Sequence, residues 1–102
     1  PEEIEKVIND FRGVNESLVM ERDGQLVALV NFNDDVFDWK QAGSSDFVQK
    51  VEEKRKELIH FVNQRISRNS QVKSVGIMKD PFEKTATKKI RRFIYKDTKA
   101  DA

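Results

Sequence analysis

The run Leu26-Val27-Ala28-Leu29-Val30 constrains the fold more than any other part of this chain. Every residue in it is apolar, whereas a strand with one face in water alternates apolar and polar residues with period two. Such a strand is covered on both faces or lies at the centre of its sheet. A chain of 102 residues has room for one domain and one core, so its other elements must supply the neighbours and the cover. Residues 17–21 (SLVME) supply one neighbour. They are rich in strand formers and are joined to residues 25–32 (QLVALVNF) through Arg22-Asp23-Gly24, where Asp-Gly is a strong tight-turn signal. Residues 72–78 (VKSVGIM) form a third strand, ended by Asp80-Pro81 because the residue before Pro avoids helical geometry.

The cover comes from two helical patterns. In residues 1–12 the positions Ile4, Val7, Ile8 and Phe11 make one apolar stripe, with Pro1 and three Glu in the first turn and Gly13 as a stop. A longer helix starts at a Ser45 or Asp46 cap and runs to about residue 66. Its stripe is Phe47, Val48, Val51, Leu58, Ile59, Val62 and Ile66, with Arg55 filling the gap; Phe61 falls off it. Residues 33–45 are a loop that packs Val36, Phe37 and Trp39 downward, residues 82–89 a polar basic loop, and Ile90 opens a short helix before a frayed end over residues 97–102. The expected architecture is a small α+β domain, order α-β-β-α-β-α, with helices packed on a three-stranded sheet that contains a hairpin.

Cysteine is absent, which excludes disulfides, thiolate metal sites and thiol nucleophiles, and one histidine, His60, cannot make a multi-histidine centre. His60 fits a helix face, and Asp34, Asp35 and Asp38 lack calcium-loop spacing and fit turn chemistry. No secretory signal or membrane-spanning run is present. Charge is unevenly spread. Residues 1–62 hold 14 acidic and 8 basic side chains, net −6, and residues 63–102 hold 11 basic and 4 acidic, net +7. A basic end points to an anionic partner. One reading is therefore a basic-tailed nucleic-acid or protein-binding module. Aromatic interleaving is thin, however, with only Phe82, Phe93 and Tyr95, and no recognised nucleic-acid-binding motif is present.

The sharpest feature is residues 80–92, DPFEKTATKKIRR, where Thr85 and Thr87 stand among Lys84, Lys88, Lys89, Arg91 and Arg92. A polar loop tipped with Lys brings a compact charge on a flexible stem to a phosphate or carboxylate. On composition alone the commoner case is a solvated basic end. The residue order, however, resembles the C-terminal signature of the adenylate-forming enzymes, the acyl-CoA synthetase superfamily: Pro, a basic or Thr-rich stretch, then Thr-x-x-Gly-Lys-(Ile/Val)-x-Arg. Here Pro81, Thr85, Lys89, Ile90 and Arg92 take those places. Pro1-Glu2-Glu3-Ile4-Glu5 is similar to the first helix of that family's small C-terminal domain, and the element order between the two motifs fits that domain across the chain. Residues 88–95 (KKIRRFIY) are most similar to the long-chain fatty acid–CoA ligase branch.

The resemblance implies a lid domain that closes on a large N-terminal adenylation domain. Pro1 opens the chain without Met, so that domain and its hinge are expected to precede it. The implied enzyme joins a fatty acid to ATP, with Mg, to give acyl-adenylate and pyrophosphate, and then passes the acyl group to CoA. It implies Lys89 as the catalytic lysine and Thr85, Thr87, Lys88 and Arg92 as residues of the substrate and nucleotide loop. It also implies a cytoplasmic enzyme with no nucleic-acid partner, whose isolated lid is inactive and binds no cofactor tightly. One residue departs from the pattern: Lys88 stands where the family has Gly. Lysine there stiffens the loop and works against a positive φ.

Overall fold

In the computed structural model, which describes residues 1–100, the three strands form one sheet in the order β1-β2-β3. They are β1 (Val14–Arg22), β2 (Gln25–Phe32) and β3 (Val72–Met78). β1 and β2 pair antiparallel, with Arg22 opposite Gln25. The two residues of the turn, Asp23 and Gly24, have φ of 52° and 76°. That is the primed turn whose twist matches the flanking strands. β3 lies parallel to β2, and a parallel neighbour requires a crossover. Helix α2 (Ser45–Asn63) provides it. The apolar run of β2 is thus central and covered on both sides.

One face of the sheet carries the main core. Helix α1 (Glu2–Asn9) and α2 bring Ile8, Leu58 and Val62 against Val19, Ala28, Val30, Phe32, Val72 and Val75, all buried. Phe37 joins them from the loop after β2, with its ring edge-on to Phe32 at 5.3 Å and to Trp39 at 6.0 Å. The aromatic loop therefore packs as its sequence suggests, with Trp39–Gln41 a single 3₁₀ turn. Phe61, unplaced by the helical stripe, packs on Phe11 at 5.2 Å beneath the guanidinium of Arg65.

The helix boundaries differ from the expected ones. α1 stops at Asn9, because Asp10 and Phe11 bond back to Val7 and Ile8 three residues earlier and tighten the last turn. α2 is capped by Ser44, whose Oγ accepts from the Phe47 amide, and not by Ser45 or Asp46. It ends at Asn63 because Asn63 turns its amide to both backbone groups of Val72 and so starts β3. Val48 is 55% exposed: Phe47 and Val51 take the inward positions.

The second face has a smaller core that sequence periodicity did not place. Leu18 and Leu29 are covered by Phe82, with Met20, Met78, Ile90, Tyr95 and Ala100 around them. Beyond the strand residues Met20 and Met78, this cover comes from the segment after β3. The helix expected from Ile90 is a 3₁₀ turn, Arg92–Tyr95, so the final α of the expected order is not formed. The end is not frayed over residues 97–100. Lys99 and Ala100 lie against Gly76, where a Cβ would come within 2.9 Å of the Lys99 carbonyl oxygen and of Leu29 Cδ2. The remainder of that expectation, residues 101–102, lies outside the described residues.

Both sheet edges are closed by charged side chains from the helices. On the β1 edge, Glu5 Oε2 accepts from the Val19 amide at 2.7 Å. On the β3 edge, Arg55 Nε donates to the Val75 carbonyl at 2.8 Å while its Nη1 pairs with Glu52. Arg55 thus does more than fill a gap in the stripe. A charged group that satisfies an edge strand also blocks pairing with another chain.

Candidate functional site

Residues 82–92 form a hairpin rather than an irregular loop. Lys84 and Ile90 are bridged antiparallel, and the Arg91 amide donates to the Glu83 carbonyl at 2.9 Å. At the tip, the Thr85 amide donates to the Lys89 carbonyl at 2.8 Å and the Lys88 amide to the Thr85 carbonyl at 2.9 Å. The Thr85 hydroxyl oxygen accepts from the Lys89 amide at 3.3 Å and lies 3.0 Å from the Thr87 hydroxyl. Ala86, Thr87 and Lys88 are then the three loop residues, an arrangement that ends on a left-handed residue. Lys88 is that residue, with φ of 64°.

Lys88 thus adopts the positive φ that a side chain works against. The hairpin fixes the left-handed position, and the side chain there accepts the strain of about 1 kcal/mol that a Cβ incurs. It also supplies a physical reason for glycine at this place in the motif. Lys88→Gly should therefore raise the stability of the chain by a few tenths to about 1 kcal/mol, part of the gain being offset by the more flexible unfolded chain. Lys88→Val, with a branched Cβ at positive φ, should lower it by about 1 kcal/mol. Urea denaturation of the two variants measures the order; Val equal to or above Gly would contradict it.

Charge on the hairpin is distributed unequally. Of its five cations, Lys84 pairs with Glu16 at 2.7 Å, Arg91 faces Glu83 at 3.8 Å, and Arg92 holds Glu5 through two hydrogen bonds of 2.7 Å. The Glu5 bond raises the Arg92 pKa above its ordinary value against the opposing effect of burial. Among the described residues the ammonium groups of Lys88 and Lys89 have no hydrogen-bond or ion-pair partner, and both residues are exposed. The carboxylates neutralise the legs and leave the positive charge at the tip.

The structure thus brings Thr85, Thr87, Lys88 and Lys89 together at one turn and sets Arg92 apart, against α1. Glu5 entered the sequence pattern only as part of the opening motif, and Glu16 was not singled out. A usable signal existed for Glu16: it shares strand parity with Leu18 and Met20, an acid on an otherwise apolar face. Elsewhere, His60 is exposed, and Asp38 accepts from the Lys40 amide in turn geometry. Among the described residues no three Asp, Glu or His side chains are placed to hold a metal ion, and no helix is long and apolar enough to cross a membrane.

No protein-family model matches the chain, and no curated protein sequence does. Solved structures do. A benzoate CoA ligase from Burkholderia xenovorans matches with a TM-score of 0.70 at 25% identity over 95% of this chain. An O-succinylbenzoate coenzyme A synthetase from Bacillus subtilis matches at 0.67 and 19% over 95%. A fatty acyl CoA synthetase from Mycobacterium tuberculosis matches at 0.62 and 20% over 95%. The chain spans only 17%, 18% and 17% of the Bacillus, Burkholderia and Mycobacterium proteins respectively.

Proposed function

We propose that this chain is the C-terminal lid domain of a cytoplasmic, ATP-dependent fatty acid–CoA ligase, and that Lys89 is its catalytic lysine. The observation that carries the reading is the hairpin tip. Two unpaired ammonium groups project from a turn whose remaining cations are neutralised, on a fold shared with about a fifth of several CoA ligases and synthetases. A solvated basic tail has no reason to neutralise its own legs, and a nucleic-acid surface would keep those charges for phosphates.

In the proposed first step a fatty-acid carboxylate oxygen attacks the α-phosphorus of ATP. A new O–P bond forms as the bond to pyrophosphate breaks, and negative charge builds on the carboxyl and phosphate oxygens. Lys89, brought over the large domain, stays protonated and stabilises that charge in a closed site, where a fixed cation is worth far more than in water. Lys88, Thr85 and Thr87 shape the tip beside it and offer donors to the nucleotide. Arg92 holds the descending leg through Glu5. The CoA thiol then displaces AMP to give the thioester, after the lid has moved Lys89 away. Among the described residues no three Asp, Glu or His side chains converge on one point, so no magnesium ligand is assigned to this domain.

ATP–pyrophosphate exchange by the enzyme that contains this chain tests the substrate class. Exchange driven by fatty acids and not by aryl acids is the expected result, with none from the 102-residue chain alone. Exchange with aryl acids only would move the reading to that branch, and turnover by the isolated chain would refute the lid assignment.

A further inference from the structure

The first leg of the hairpin that carries Lys89 is held by one carboxylate. Glu16 Oε2 accepts from the Phe82 amide at 2.6 Å, and Oε1 pairs with Lys84 Nζ at 2.7 Å. Lys84 Nζ also donates to the Phe82 carbonyl at 3.1 Å, closing a ring of contacts around the first leg. Glu16 thus fixes the backbone where the chain leaves Pro81 and the side chain two residues further on. Tyr95 completes the root, its hydroxyl accepting from the Glu83 amide at 2.7 Å and its ring edge-on to Phe82 at 5.0 Å.

Glu16 reaches this position through an irregularity in the sheet. The pairing of β1 with β2 shifts between Val14, opposite Phe32, and Glu16, opposite Asn31. Asn15 is the extra residue, and its amide is used on Asn31 at 2.9 Å. In a regular strand Val14 and Glu16 would share a face. Here Val14 packs in the helix-covered core, while Glu16 lies on the opposite face with Leu18 and Phe82. A bulge that re-aims one side chain is a recurrent device beside functional sites. Asn31 also donates to the Met78 carbonyl at 3.0 Å, fixing the end of β3 from which the hairpin departs.

We infer that Glu16 is a positioning residue for Lys89: the bulge aims its carboxylate at the root of the hairpin, and that carboxylate sets where the lysine tip stands when the lid closes. The inference rests on the proposed function. Lys89 touches the reacting atoms there, and Glu16 acts only through the hairpin, since its contacts are Phe82 and Lys84.

The test compares Glu16→Gln and Glu16→Ala with Lys89→Ala in the ligase that contains this chain, reading two half-reactions separately. Misplacing a catalytic group by about 1 Å costs about 10²-fold, so Glu16→Ala should slow acyl-adenylate formation by roughly 10- to 100-fold. Thioester formation from supplied acyl-adenylate should be unchanged. Glu16→Gln retains an acceptor for Phe82 but loses the charge on Lys84, and should fall between Ala and wild type. Hydrogen exchange in the 102-residue chain is the second readout, with the amides of Phe82, Thr85 and Lys88 exchanging at least tenfold faster in Glu16→Ala while those of α2 are unaffected. Equal losses in both half-reactions would overturn the inference by making Glu16 a structural residue. Faster exchange with unchanged adenylation, or no effect on either, would overturn it too. If Lys89→Ala itself leaves adenylation intact, it is the proposed function that fails.

Discussion

Lys89→Ala in the proposed ligase is expected to reduce acyl-adenylate formation about 10²–10³-fold, the usual cost of removing one preorganised charge-stabilising group, or about 2.7–4 kcal/mol of barrier. The expectation follows from the hairpin tip. Lys89 is exposed, unpaired and anchored by its backbone to Thr85, so its loss disturbs no contact that holds the fold. Stability of the chain should therefore change by less than about 0.5 kcal/mol. Thioester formation from supplied acyl-adenylate should fall far less than adenylation. Lys88→Ala is the control. It carries the neighbouring charge at the same tip, but its backbone has the left-handed φ. Adenylation that survives Lys89→Ala and collapses with Lys88→Ala would transfer the catalytic assignment by one residue. Equal losses in both half-reactions would remove the reason for a lysine that leaves the site.

Phe82→Ala is expected to destabilise the chain by about 3–5 kcal/mol, the range for a buried aromatic truncated in a core. Phe82 is only 3% exposed, although it opens a segment that is otherwise polar. It covers Leu18 and Leu29 on the face of the sheet that no helix reaches, and Tyr95 stands edge-on to it. Domains of this size have about 5–15 kcal/mol in total, and each kcal/mol shifts the midpoint by about 4–8 °C, so thermal unfolding should move down by more than about 10 °C. Residues 82–100 should lose hydrogen-exchange protection first, because their cover of the second face depends on this ring. A loss below about 1 kcal/mol would show that the second face is surface rather than core. Phe82→Leu, which keeps most of the apolar volume, should retain most of the stability.

The segment after β3 was legible to a different depth in each of its parts. The order Pro81, Thr85, Lys89, Ile90, Arg92 was visible, because a motif is a linear pattern. That the tip is a hydrogen-bonded turn with Lys88 left-handed was not, because a lysine gives no sign that its backbone is held at positive φ. The cations also looked alike in sequence. Only the fold distinguishes Lys84 and Arg92, neutralised by Glu16 and Glu5 from 68 and 87 positions away, from the unpaired pair at the tip.

What the sequence determined by itself was the part of the fold carried by local periodicity and turn chemistry. The unbroken apolar run of residues 26–30 called for a strand covered on both faces or central in its sheet, Asp23-Gly24 for a hairpin, and the stripes of α1 and α2 for helices packed on that sheet. These signals arise from neighbours within a few residues, so they survive without knowledge of the rest of the chain. The tertiary structure alone decided how the second face is closed and where the charges of the hairpin end. Phe82, Tyr95 and Ala100 belong to no periodic element, and each is buried or held only because the parallel crossover brings the segment after β3 back across β1 and β2. Glu5 and Glu16 find their cations in the same way, and a carboxylate's partner is set by distance in space, which no local pattern encodes.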